Sequence, residues 1–392
     1  MDPKITWAQL SAPFIESIPA PAIFGLPTLV ETGYELRAYD LAGVEAGRYT
    51  DFTSLSYVKR VGEQGVLVFG FPGDHKLTSI IQDKWEFEVW RKPPGQDWAR
   101  DFAAIFRDED WSYPASGSSF VGYCPGILHK LAWRDVEWPA NIINRSKFLS
   151  AKAETVAKTL VNYNAAALAT TGNGRKRNGA ITGLTVQADG ASGNTIDWYC
   201  HGQGLLESLQ GITKIGGGDF DLVRTASNGA DFRWYSGQLG TDRSADVKFS
   251  MELGNMADPR YRVVRSGERT VANVWGQGLD SDRDYRSRTG ANYSTTNNIE
   301  FYVDAKDIEK GQLSALDARG DQKLKASQAV VEFVFRVLQT PATLYGVHYF
   351  LGDLVTAINP FTGESLILKI IAVAIGLDAS GAELVDVEMG TP

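Results

Sequence analysis

The sequence predicts a mainly β protein with α/β insertions: two sheet-rich regions with a small α/β module between them. Three observations carry this. Of 392 residues, 43% are apolar and 22% charged, the balance of a chain that folds around cores. The 40 glycines and 10 tryptophans favour many short strands joined by tight turns. Period-two alternation dominates both ends of the chain, whereas helical period appears in the middle and once near residue 315. The length exceeds one ordinary core and predicts two or three domains.

Residues 1–27 hold Pro3, Pro13, Pro19, Pro21 and Pro27, which rule out a long helix and deny a central strand its donors. They read as an extended arm. Trp7, Phe14, Ile15 and Phe24 are its apolar anchors, candidate assembly contacts with a neighbouring surface.

Residues 28–145 read as the first sheet domain. In KWEFEVW, Trp85, Phe87 and Val89 point one way and Glu86 and Glu88 the other; VLVFGF (66–71) is a further strand. In GILHKLAWR, Ile127, His129, Leu131 and Trp133 alternate with Leu128, Lys130 and Ala132, which predicts another.

Residues 146–228 form the small α/β module. Ala153, Val156, Ala157, Leu160 and Val161 fall at helical spacing, with Ser150 as the expected N-cap. GLTVQADG and TIDWYCH read as strands. Leu205, Leu209 and Ile212 share the face of a second helix, which Gly216, Gly217 and Gly218 stop.

Residues 229–392 form the second β-rich domain. DFRWYSG, ADVKFSM, RTVANVWGQG and NNIEFYVDA are strand-like, and a helix over 306–326 places Leu313, Leu316 and Leu324 on one face. In AVVEFVFRVL both faces look buried. The chain closes in a β-meander: Gly352 and Asp353 turn into a strand, Leu354 and Thr356 alternate with Val355 and Ala357, and Asn359, Pro360, Thr362 and Gly363 turn it back.

Chemistry is sparse. A net charge of -8 argues against a protein that grips nucleic acid by its phosphates. Arg175, Lys176 and Arg177 in GNGRKRNG form a local basic cluster, read as a solvated loop tip. His75, His129, His201 and His348 lack metal-ligand spacing, and no metal or cofactor is expected. GxSxG is absent, and HGQGLLE has Glu207 where a dinucleotide fingerprint needs Gly or Ala. Cys124 and Cys200 read as buried thiols. The most apolar run, LILKIIAVAIGL (366–377), is too short to span a membrane as a helix. RDEDW groups Asp108, Glu109 and Asp110 beside Trp111, a mixture found in sugar-cleaving clefts, but reads here as an exposed hairpin turn. No catalytic residue is assigned.

The order and spacing of several segments resemble the baseplate hub or minor tail proteins of long-tailed, non-contractile bacteriophages. These are AGRYTDFTSLSYVKRVGEQGVLVFGFPG, AETVAKTLVNYN, HGQGLLESLQGI, VKFSMELGNM, NVWGQG and YGVHYFLGDLVTAINPFTG. The resemblance implies a hub-like homotrimer at the tail tip of a virion. It also implies a pair of β-barrel-like domains per subunit, the first over residues 28–145, which would make a pseudo-six-fold ring joining the tail tube to the tip. The distal tail protein, the tape measure protein and other tail-tip proteins would be its partners, and double-stranded DNA would pass without specific binding. Its acids are expected to line the lumen, with GRKRNG facing away. The Pro-rich arm is longer than that family's usual start. The alternatives are a tail-associated cell-wall hydrolase and a carbohydrate-binding tail-tip protein.

Overall fold

The computed structural model describes residues 32–113, 117–137, 146–200, 202–225, 229–378 and 381–390. The arm over 1–27, with Trp7, Phe14, Ile15 and Phe24, lies outside the described residues, as does His201.

Alternation builds one long sheet. Its path runs Met256–Val264, Val330–Val337, Glu383–Gly390, Ser365–Leu377, Ser54–Arg60, Glu63–Pro72, Ser119–Pro125, Asp108–Ser112. Every neighbouring pair on this path is antiparallel. Off the path, Leu354–Ile358 pairs with Ser365–Leu377 and carries Lys248–Phe249 on its other side. At the middle of the path Ile375 stands opposite Tyr57 and Val373 opposite Lys59. Residues 28–145 and 229–392 therefore meet in one sheet, and each supplies four strands of the path.

They also share a core. Phe69, Phe71 and Phe120 from the front of the chain are buried together with Phe333, Phe335 and Val373 from the back. A second sheet, in the order Glu45–Tyr49, Gly33–Tyr39, Glu86–Lys92, Ala99–Ile105, adds Leu36, Phe87 and Val89 to that core. Gly122 is required by the packing, since a Cβ there would lie 2.6 Å from the Phe69 ring.

The module has its own core around α1 (Ala153–Asn164) and α2 (Leu205–Gly216), packed on the strands Leu184–Val186, Gly218–Arg224 and Ala230–Ser236. Gly217 ends α2 at φ +66, and Gly218 already starts the next strand. Ser150 is not the cap of α1. It sits at φ +48 in the strand Lys147–Lys152, and Lys152 holds the cap position. GILHKLAWR is not a strand either: Ile127–Trp133 is a 3-10 helix. Ile127, Leu128, Lys130 and Leu131 are all buried, so burial falls on both sides of the apparent alternation, which carries no information here.

A third core lies inside the last third of the chain. Helix α3 (Leu313–Ala326) covers one face of the sheet Tyr285–Thr289, Val271–Trp275, Glu300–Asp304 through Leu316 and Leu324. Leu313, expected on that face, is 44% exposed at the first turn. The helix starts seven residues later than expected because residues 306–312 form turns. In Val330–Val337 only Phe333, Phe335 and Val337 are buried; Val330 is half exposed, since the opposite face meets solvent.

Candidate functional site: buried charged seams and two sheet edges

Side chains expected to point outward form buried seams between segments. Glu86 and Glu88 are both buried. Lys130 Nζ donates to Glu86 Oε1 at 2.5 Å, and Arg224, from the module, contacts Glu86 and places Nε 2.7 Å from Glu88 Oε1. Glu88 also accepts from Arg100 Nη1 (3.0 Å), Trp90 Nε1 (2.7 Å) and the Tyr39 hydroxyl (3.0 Å). Burial pushes the Lys130 ammonium down to about 8 and the Arg224 guanidinium down to about 10. A buried carboxylate is retained only where cations and donors surround it, so this seam fixes the module against the sheet.

Two further seams tie the ends of the chain together. Arg91 donates from Nε to Glu383 Oε1 at 2.6 Å and from Nη2 to Oε2 at 2.8 Å, while Nη1 donates to the Tyr345 carbonyl at 2.9 Å. Lys59 Nζ donates to Asp101 Oδ1 (2.7 Å) and to the Tyr345 hydroxyl (2.8 Å), and the Tyr57 hydroxyl donates to Asp101 Oδ2 (2.6 Å). Despite burial, the neighbouring Lys59 and the Tyr57 hydrogen bond hold the Asp101 carboxyl below its usual range.

The Gly352–Asp353 turn is part of the same construction. Asp353 is buried, accepts from Thr241 N (2.7 Å) and Phe350 N (2.9 Å), and pairs with Arg243 at 2.9 Å. Gly352 has φ +87, and its neighbour Gly240 has no room for a Cβ, which would meet Asp353 N at 2.3 Å.

The residues singled out for chemistry are dispersed. Asp108, Glu109 and Asp110 lie on an exposed edge strand, not in a turn and not in a cleft. Arg175 is not solvated: its side chain is 8% exposed and donates to Asn164 Oδ1 (2.7 Å) and Glu137 Oε1 (3.0 Å), which leaves Lys176 and Arg177 as the exposed part of that cluster. His75 caps a 3-10 turn, His129 faces Gln64 at 2.7 Å, and His348 accepts from Leu344 N. No group of metal ligands occurs among the described residues. Cys124 and Cys200 are buried free thiols, and burial pushes Cys200 up to about 12. Among the described residues no helix is long and apolar enough to cross a membrane.

Two surfaces remain open. Among the described residues the long sheet ends in the strands Asp108–Ser112 and Met256–Val264, each paired there on one side only. The inserted three-stranded sheet leaves Trp275, Tyr285 and Tyr302 on the face away from α3, with Tyr285 45% and Tyr302 57% exposed.

The chain is mainly β and held by structural ion pairs, and its fold is that of phage tail proteins. It is similar to the 43 kDa tail protein of prophage MuSo2 from Shewanella oneidensis, with TM-score 0.55 and 14% identity over 91% of this chain and 98% of that one. It is also similar to the tail protein from Neisseria meningitidis MC58, with TM-score 0.54 and 11% identity over 91% and 96%. A chain of the Francisella PdpA-VgrG complex matches with TM-score 0.54 and 8% identity, over 93% of this chain and 53% of that one. No curated protein matches. The chain belongs to the Siphovirus ReqiPepy6 Gp37-like protein family, whose model spans residues 35–391.

Proposed function

We propose that the protein is the tail-tip baseplate hub, a homotrimeric ring that joins the tail tube to the tip and leaves a channel for DNA ejection. One observation carries the reading: each half of the chain supplies four strands to a single antiparallel path, joined where Ser54–Arg60 pairs with Ser365–Leu377. Two halves of four path strands each, in each of three subunits, give six units around an axis, which would match a six-fold tube to a three-fold tip.

The solvent-facing side of that sheet is the natural channel wall. Its charges are largely neutralised in place, Arg60 by Glu388 at 3.2 Å and Arg336 by Asp386 at 3.2 Å. Few guanidiniums are left to bind phosphates, so DNA would pass without being held. This refines the expectation of an acid-lined lumen into one of matched charges. The N-terminal arm, through Trp7, Phe14, Ile15 and Phe24, would lie along a neighbouring subunit or another tail protein, the distal tail and tape measure proteins among the partners. The test is a reconstruction of the tail by electron microscopy: three copies at the tip support the reading, and six copies or none at the tip contradict it.

A second reading rests on Trp275, Tyr285 and Tyr302. The exposed Tyr285 and Tyr302 rings and the half-buried Trp275, with Asn273 Oδ1 accepting from the Tyr285 hydroxyl at 2.8 Å, form a platform of the kind that stacks sugar rings. Replacing Tyr285 and Tyr302 by Ala should then reduce binding of the purified chain to host wall polysaccharide. Unchanged binding, or none by the natural chain, removes this reading. Asp108, Glu109 and Asp110 lie on an exposed edge strand, which lends no support to hydrolysis there.

A further inference from the structure

The two edges of the long sheet carry opposite charge. On one, Asp108, Glu109 and Asp110 are exposed; on the other, Arg260 and Arg262 are exposed. Asp108, Asp110 and Arg260 have no ion-pair partner among the described residues, and Arg262 reaches Glu332 only at 3.6 Å.

The two faces of each edge match as well. Trp111 stands opposite the buried Phe120, so it lies on the core side with Glu109, and Asp108 and Asp110 lie on the solvent side. Tyr261 stands opposite the buried Phe333, so it lies on the core side with Val263, and Arg260 and Arg262 lie on the solvent side. Trp111, Tyr261 and Val263 are 48%, 36% and 38% exposed, open apolar surface at the rim of the core.

Length and direction agree. The acidic edge is five residues long. On the other edge the register shift between Ala257 and Arg260, with Asp258 at φ +50 and Pro259 lacking a donor, interrupts pairing before a regular run over 260–264. The path has eight strands in strict antiparallel alternation, so its first and last strands run in opposite directions. A neighbour related by rotation about an axis along the strands presents its basic edge antiparallel to this chain's acidic edge, as in every other pair of the sheet.

We infer that the acidic strand Asp108–Ser112 of one copy pairs with the basic run 260–264 of the next copy, head to tail. Asp108 and Asp110 lie against Arg260 and Arg262 on the solvent side, and Trp111 packs on Tyr261 and Val263 on the core side. Edges blunted only against aggregation are served best by one sign on both, since like charges repel in every pairing. Opposite signs forbid acid on acid and base on base and permit acid on base, which fixes the polarity of the ring. The inference rests on the ring reading above and names the residues that close it.

The experiment uses the full chain and measures mass in solution, with circular dichroism to check folding. The variants D108K/D110K and R260E/R262E change exposed side chains and should stay folded as monomers, with the association constant lowered at least about tenfold. The fourfold variant, with the signs exchanged on both edges of one chain, should recover the trimer. Mixing the two double variants cannot restore it, because alternation around a ring of three leaves one junction with like charges; dimers or even-numbered oligomers are expected instead. A natural chain that forms no ring overturns the ring reading and this inference together. A natural trimer whose double variants still form trimers, whose fourfold variant stays monomeric, or whose mixed variants form trimers overturns the edge pairing alone.

Discussion

Arg91 and Glu383, 292 residues apart in sequence, form a bidentate ion pair with both side chains nearly out of contact with water, at 4% and 10% exposure. The strand Glu86–Lys92 belongs to the four-stranded sheet and Glu383–Gly390 to the long one. The pair therefore locks the front of the chain onto its end, with Tyr34 and Gln339 also donating to Glu383.

Removing one partner leaves the other charge buried and unpaired. Arg91→Met should lower the unfolding free energy by about 3–5 kcal/mol, and Glu383→Gln by a comparable amount. The double variant should cost less than the sum. Denaturant titration of the four chains measures the coupling; additive losses would mean that the pair contributes nothing specific.

Glu154 gives a pH dependence with a defined sign. It is buried in the first turn of α1 and pairs with Lys158; it also accepts from Ser192 N at 2.8 Å and Gly190 N at 3.1 Å. Burial alone would raise its pKa, but these donors lower it to about 2 from 4.5. Its stabilisation is therefore complete above pH 4.5 and is lost as the pH falls toward 2. Glu154→Gln should be less stable at pH 7, with the difference from the natural chain shrinking below pH 4. A constant difference across that range would refute the assignment.

Much of the fold was legible because local periodicity reports which face is buried. The strand Leu354–Ile358 alternates as read, with Val355 and Ala357 buried, and Leu205, Leu209 and Ile212 of α2 are buried as read. The seams were not legible, because alternation marks Glu86 and Glu88 as outward and says nothing of Lys130 and Arg224, which meet them only after folding. The opposite charges of the two sheet edges were visible as RDEDW and PRYRVVR, but their relation depends on a strand order that sequence spacing does not specify.

The buried thiols make a simple probe of integrity. With Cys124 and Cys200 buried and Cys200 held near 12, the native chain should consume no thiol reagent at pH 8, and the unfolded chain should consume two equivalents. Rapid labelling of the native chain would contradict the burial of both sulfurs.

Deleting residues 2–24 should leave the melting of residues 32–392 unchanged and weaken assembly into tails, since Trp7, Phe14, Ile15 and Phe24 are proposed to anchor on a neighbour. A lower melting temperature with unchanged assembly would place the arm in the chain's own core.

The chain is proposed to close into a three-membered ring. The mass of the purified full chain in solution, taken at low and high salt, tests it most directly. A trimer is expected at low salt that dissociates as salt rises, because Asp108 and Asp110 would face Arg260 and Arg262 across each junction. A monomer, a dimer or a hexamer at low salt would contradict it.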